Sequence, residues 1–164
     1  MRGFTGWLGG SIVAGLVILA AVAGAQQIPA DKVPPKVMDA VKARFPGAEF
    51  TSITKETVDG QVIYDIELKQ KGRKYEMDIK EDGTVLEVEK EVALKDVPAA
   101  VTKALQAKYP RSTVKEVMEV NLVKDNKETP DHYEMILEMT DKKTIELEVS
   151  LDGKTIKGPA EEKK

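Results

Sequence analysis

The sequence predicts an α+β protein in which a helix followed by a four-stranded antiparallel sheet occurs twice in tandem. Three observations carry that prediction. Val33 to Pro46 returns sixty-four residues later as Val97 to Pro110, with the same Val-Pro opening, two shared alanines and an aromatic-Pro close. After each copy come short runs in which apolar and charged residues alternate with period two, the signature of half-buried strands. Asp59-Gly60, Asp82-Gly83 and Asp152-Gly153 punctuate those runs at hairpin positions. A repeat of this size implies one supersecondary unit used twice.

The first 25 residues differ in kind from the rest. Arg2 supplies a positive start, Ile12 to Val22 an apolar stretch, and Ala23-Gly24-Ala25 a small-residue cleavage site. Phe4 to Ala25 is also nearly free of charge and long enough to span a membrane, so an uncleaved anchor is the rival reading. The small residues and the polar Gln26-Gln27 favour cleavage near Ala25, placing the mature chain in the periplasm or outside the cell. Membrane contact is then confined to export. The division expected is 1–25 signal peptide, 26–92 first unit, 93–158 second unit and 159–164 polar tail.

In the first unit the helix is expected over Pro34 to Arg44, with Pro at its first position and Asp31 near the cap. Val37, Met38, Val41 and Phe45 form one apolar stripe, and Pro46 ends the helix. Four strands follow. Val62, Tyr64, Ile66 and Leu68 point inward in the second, Tyr75, Met77 and Ile79 in the third, and Leu86 and Val88 in the fourth. Asp65, Glu67, Glu76, Asp78, Glu87, Glu89 and Glu91 point outward.

The second unit repeats the plan, with a helix over Pro98 to Lys108 carrying Val101, Leu105 and Tyr109. Tyr133, Met135, Leu137 and Met139 point inward, then Ile145, Leu147, Val149 and Leu151. Period two breaks between Phe50 and Ile53 and again between Val114 and Val117, so a bulge is expected in both places. The Tyr64 and Tyr133 pair is offset by 69 rather than 64, so five residues have been added between the second unit's first two strands. Lys124 to Asp131, polar and containing Pro130, is expected to project as a loop. Arg111 stands where the first unit has Gly47.

Composition narrows the function classes. Charged residues make up 32% and hydrophobic residues 41%, with a net charge of −3, which suits a globular fold with no basic stripe for nucleic acid. No cysteine is present, so there is neither a disulfide nor a lipid-anchoring thiol. His132 is the one histidine and reads as an exposed structural residue on an outward face. Without further His or Cys it makes no zinc site. Glu87, Glu89 and Glu91 read as a wet face paired with lysines such as Lys74 and Lys80 on neighbouring strands. The calcium-loop spacing is absent around the Asp-Gly turns, no phosphate loop or nucleophile elbow is present, and among the 28 acids no carboxylate pair is marked as buried, which leaves that chemistry open. No catalytic residue, metal ligand or cofactor is predicted.

The pattern of a helix opening Val-Pro and closing aromatic-Pro, then strands closed by Asp-Gly, resembles the PepSY-like family of exported bacterial proteins. That family is also described as similar to β-lactamase-inhibitor proteins. Val33-Pro34, Val37, Val41, Phe45-Pro46-Gly47, Tyr64-Asp65 and Asp82-Gly83 carry the resemblance, and Val97-Pro98, Val101, Leu105, Tyr109-Pro110, Tyr133 and Asp152-Gly153 repeat it. The resemblance implies an exported, non-enzymatic module that binds or inhibits a protein or peptide, with peptidases among the candidate targets, and it transfers no catalytic residue. The alternatives are a structural or stress-related envelope protein, a cation-binding protein using its acidic outer sheet face, and a small hydrolase. Because the two copies differ at the extension, Lys124, Asp125, Asn126, Lys127, Glu128 and His132 are the expected partner contacts.

Overall fold

A computed structural model describes residues 25–158; the expected export segment, but for Ala25, and the expected tail lie outside them. In chain order the elements are β1 (Gln26–Gln27), α1 (Pro35–Arg44), β2 (Glu49–Val58), β3 (Gln61–Gln70), β4 (Arg73–Lys80), β5 (Val85–Glu91), α2 (Ala99–Lys108), β6 (Thr113–Lys124), β7 (Lys127–Glu138), β8 (Thr144–Ser150) and β9 (Ile156–Lys157).

The strands form one antiparallel sheet of nine, each hydrogen-bonded to its neighbours in sequence. This corrects the expectation of a separate four-stranded sheet in each unit. β5 pairs with β6 from Glu87–Leu122 to Glu91–Met118, and so joins the two halves edge to edge. The physical reason is that two separate sheets would each leave a row of N–H and C=O groups unpaired at that seam. β1, for which no strand was expected, pairs with β2 at Lys55 and Thr54.

Each helix starts without a side-chain cap. Pro34 and Pro98 hold the N-cap positions, while Asp31 sits in a 3-10 turn, Ala30–Lys32, whose counterpart Leu94–Asp96 precedes α2. The helix exits match despite Arg111, with Phe45 and Tyr109 at nearly the same backbone angles (φ −125°, ψ 67° and φ −127°, ψ 63°). At the second exit the Ser112 hydroxyl donates to the Tyr109 carbonyl at 2.8 Å.

Both helices lie on the same side of the sheet, because Val117 and Val123 share a face of β6 and pack into different cores. Under α1, Val37 and Val41 meet Ile53, Tyr64, Ile66, Leu68, Met77, Ile79 and Val88. Under α2, Val101 and Leu105 meet Val117, Tyr133, Met135, Leu137, Leu147 and Val149. These are the stripes the alternation predicts, with three exceptions, the first being Met139, which lies beyond the end of β7 and joins neither core. A bulge between Asp78 and Ile79 turns Val85 inward in place of Leu86. Leu151 lies beyond the end of β8 and is exposed.

The bulges expected near Phe50 and Val114 are present, between Phe50 and Ser52 and between Val114 and Glu116. The Asp-Gly turns do more than reverse the chain. A Cβ on Gly83 would stand 2.9 Å from the Lys36 carbonyl oxygen, and one on Gly153 2.8 Å from that of Ala100. Glycine at these two positions, both at positive φ, lets each hairpin seat the first turn of its own helix.

Candidate functional site

The face of the sheet opposite the helices carries the unusual chemistry. Its residues are set by register. One row across β3, β4 and β5 reads Asp65, Asp78, Glu87. The next reads Glu67, Glu76, Glu89 and continues through Val120 on β6 to His132 on β7. A third runs Glu91, Met118, Glu134, Glu148 from β5 to β8. Acid therefore stands directly opposite acid at several cross-strand positions, an arrangement that destabilises a sheet.

These carboxyls are also shielded from water. Glu76, Asp78, Glu87, Glu89 and Glu134 are all buried, with Glu89 and Glu134 each 5% exposed. The expectation of a wet face is thus corrected for Glu87 and Glu89, which are buried opposite Asp78 and Glu76, while Glu91 is exposed as expected. Alternation assigns the face, but the partners across it are acids.

Burial penalises the charged form, and neighbouring carboxylates add to it. Glu89 is pushed up to about 11 by burial, then by Glu134 and Glu76. Burial and Asp65 raise Glu76 to about 9, and burial and Asp78 raise Asp65 to about 8. Asp78 is raised well above its ordinary value by burial and Glu87. Glu87 rises to about 7 through burial, with His132 opposing. Several of these groups therefore hold protons at neutral pH.

Lys74 and His132 are the cations nearest the buried carboxyls, and Lys157 Nζ holds Glu148 at 2.8 Å. Lys74 Nζ lies 3.0 Å from Glu116, 3.8 Å from Glu76 and 3.9 Å from Glu67. Burial disfavours its charge, yet the bond to Glu116 and the surrounding acids hold its pKa above the ordinary value. His132 Nδ1 lies 2.9 Å from Asp131 and Nε2 3.6 Å from Glu134 Oε1. Burial works against the imidazolium too, but Glu134 and Asp131 raise it to about 9. His132 is 18% exposed at its side chain and charged at neutral pH, not the open structural residue expected.

The face has an apolar floor as well. Ile63, Met118 and Val120 are buried but belong to neither helix-side core. Met118 and Val120 lie on β6 between Glu89 on β5 and Glu134 on β7. Glu89 Oε2 and Glu134 Oε2 have no hydrogen-bond partner. Among the described residues no group of three or more His, Asp or Glu is arranged to hold a metal ion. No nucleophile is paired with a base, since the one histidine is bound between two carboxylates.

The extension is not a projecting loop. β6 and β7 run to Lys124 and from Lys127, and the turn is the two residues Asp125 and Asn126, at φ 51° and 61°. A two-residue turn of this hand matches sheet twist, so the added residues lengthen the hairpin. Pro130 is accommodated opposite Asn121, where the register shifts. Glu128 reaches back to Arg44 of α1 at 3.6 Å. Lys124, Asp125, Asn126, Lys127 and Glu128 thus gather at the hairpin's end, while His132 belongs to the acidic face. Sequence reasoning put Asp65, Glu76 and Asp78 on the outward face without singling them out, and passed over Glu134 as a site residue. The turn at Lys71-Gly72 already sets Asp65 against Asp78 and Glu67 against Glu76.

Comparison with known proteins bears on this geometry. The family model described as "Putative beta-lactamase-inhibitor-like, PepSY-like" matches residues 22–87 and 64–157. No curated protein matches the chain. Among solved structures, the chain is similar to a BLIP-like protein from Bacteroides fragilis, at 23% identity and TM-score 0.53 over 80% of this chain and 88% of that one. It is also similar to a structure from Bacteroides eggerthii described as "putative periplasmic proteins", at 18% identity and TM-score 0.59 over 77% and 88%. These likenesses are of fold.

Proposed function

Because the chain belongs to the beta-lactamase-inhibitor-like, PepSY-like family, we propose that it is an exported, non-enzymatic binding module whose helix-free sheet face docks a protein or peptide. The observation that carries the reading is the set of buried, mutually opposed carboxyls on that face. Such a face lowers the stability of the fold by itself, and a partner of opposite charge offsets that cost. The two units, 26–92 and 93–158, contribute to it together, since its rows cross the β5–β6 seam. The hairpin end from Lys124 to Glu128 is a secondary contact. Export is supported by the N-terminal segment and by the periplasmic description of the Bacteroides eggerthii structure.

Docking is tested with peptides selected from a random library on the immobilised mature chain and mapped by methyl NMR. Selected peptides are expected to shift the Met118 and Val120 signals. Binders that shift only helix-side methyls such as Val37 and Val101 would sink the reading. Mass spectrometry of native protein tests export, a chain starting at Gln26 being the expected result and an intact membrane-bound chain the contrary one.

A further inference from the structure

We propose that the centre of this face, where β6 runs between Glu89 and Glu134, is a seat for a single arginine side chain of the partner. The inference rests on the docking reading above and names the chemistry that would be recognised. Three features of the site point to a guanidinium.

The first is the floor. Met118 and Val120 are 3% and 0% exposed, on a sheet face that carries no helix. Flanking side chains cover them, so the apolar strip between the two lines of carboxyls opens only when an arriving side chain parts that cover. An arginine side chain lays its methylene stem along such a strip while its charged head reaches the acids.

The second is the pair of unpartnered oxygens. Glu89 and Glu134 are each 95% buried, and each has an Oε2 with no hydrogen-bond partner. Glu89 lies beside Val120 on one flank of β6, and Glu134 beside Met118 on the other. Buried polar atoms are nearly always paired in native proteins, so two unpartnered oxygens on the flanks of one strip call for a donor from outside, Glu89 giving up its proton to the medium as it accepts. A guanidinium offers five N–H donors in a planar fork and can serve both flanks at once; an ammonium is a strongly hydrated point charge.

The third is the shortage of internal cations. Lys74 is already engaged by Glu116, Glu76 and Glu67. His132 is engaged by Asp131 and by Oε1 of Glu134, which leaves Oε2 of the same carboxyl free. Glu89 faces Glu76 and Asp78 on β4, Glu87 on its own strand and Glu134 across β6, all acids. A bound guanidinium lowers the charging penalty of Glu89, Glu76, Asp78 and Glu87, so binding releases protons and tightens as pH rises.

The test uses the whole mature chain and two peptides, Ac-Ala-Ala-Arg-Ala-Ala-amide and its glutamine counterpart. The readout is the Met118 methyl signal, with proton release followed by calorimetry in buffers of different ionisation heat. The arginine peptide is expected to shift Met118 saturably and to release protons, and the glutamine peptide to do neither. Glu89→Gln should weaken the arginine peptide about tenfold, the loss of one charge-assisted hydrogen bond. Asp39→Asn, which removes the same formal charge from an exposed site on α1, should leave it unchanged. Equal weakening by both variants would show a diffuse field and no seat. Indifference to Glu89→Gln, absence of binding, or a shift of Met118 by calcium with no arginine response would each overturn the proposal. If library-selected peptides still shift Met118 in the Glu89→Gln chain, the docking face survives and only the arginine seat falls.

Discussion

Replacing Glu89 by glutamine should make the protein more stable at neutral pH, and by a pH-dependent amount. The group's ordinary value is 4.5 and burial among acids lifts it to about 11 in the folded state. Between those values the folded chain holds a proton that the unfolded chain releases. Stability associated with Glu89 is therefore fully present below pH 4.5 and is lost as pH rises toward 11. At pH 7 about 2.5 pH units of that window have been crossed, which at 1.36 kcal/mol per unit sets a ceiling of about 3 kcal/mol. Asp65, Glu76 and Asp78 bear part of the same strain, so the single substitution should recover roughly 1–3 kcal/mol at pH 7. At pH 4 the carboxyl and the amide are both neutral and nearly isosteric, and the two chains should unfold together. Urea unfolding at pH 4, 7 and 9 reads the difference directly, with m unchanged if only stability moves. Destabilisation by the same amount at all three pH values would show that Glu89 is a structural hydrogen-bond acceptor, and the account of the acidic face would fail.

Other consequences follow from features away from Glu89. Leu105→Ala, at a position 4% exposed under α2, should cost about 2–5 kcal/mol in urea unfolding. Gly153→Ala drives a Cβ to 2.8 Å from the Ala100 carbonyl oxygen, whereas a Cβ at Gly72, also at positive φ, meets nothing within 4 Å. Gly72→Ala should therefore cost only the left-handed backbone term, about 1–2 kcal/mol, and Gly153→Ala measurably more; equal losses would show that the helix contact is unimportant. The His132 ring protons should titrate near pH 9 by NMR, and a midpoint at or below 6.5 would mean that its two carboxylate partners do not hold it.

Much of this fold was legible in the residues because each legible feature is local. The Val-Pro and aromatic-Pro signals bracket both helices, and a break in period two marks the bulges after Phe50 and Val114. What was not legible depends on pairing across distance. Nothing in the alternation of Glu87, Glu89 and Glu91 says whether β5 ends a sheet or continues into β6, since both satisfy the same inward stripe. The extension misled because a polar run containing proline is ordinarily a loop. Here the register shift opposite Asn121 gives Pro130 a place, and the hairpin lengthens instead. On the acidic face, alternation told which side Glu76 and Asp78 occupy, but only register told that Glu89 and Glu87 stand opposite them.

The strictly consecutive order of the strands has a kinetic consequence. Every pairing from β2 to β5 and from β6 to β9 closes over a turn of a few residues, so each half zips at low loop-closure entropy. The β5–β6 pairing is different, because α2 and its flanking turns lie between the partners. The seam should therefore close late, after two locally folded halves exist. Substitutions at Val88 and Asn121, which face each other there, should accelerate unfolding while leaving the folding rate almost untouched. A chain that emerges N-terminal end first during synthesis can complete its first half before the second is available.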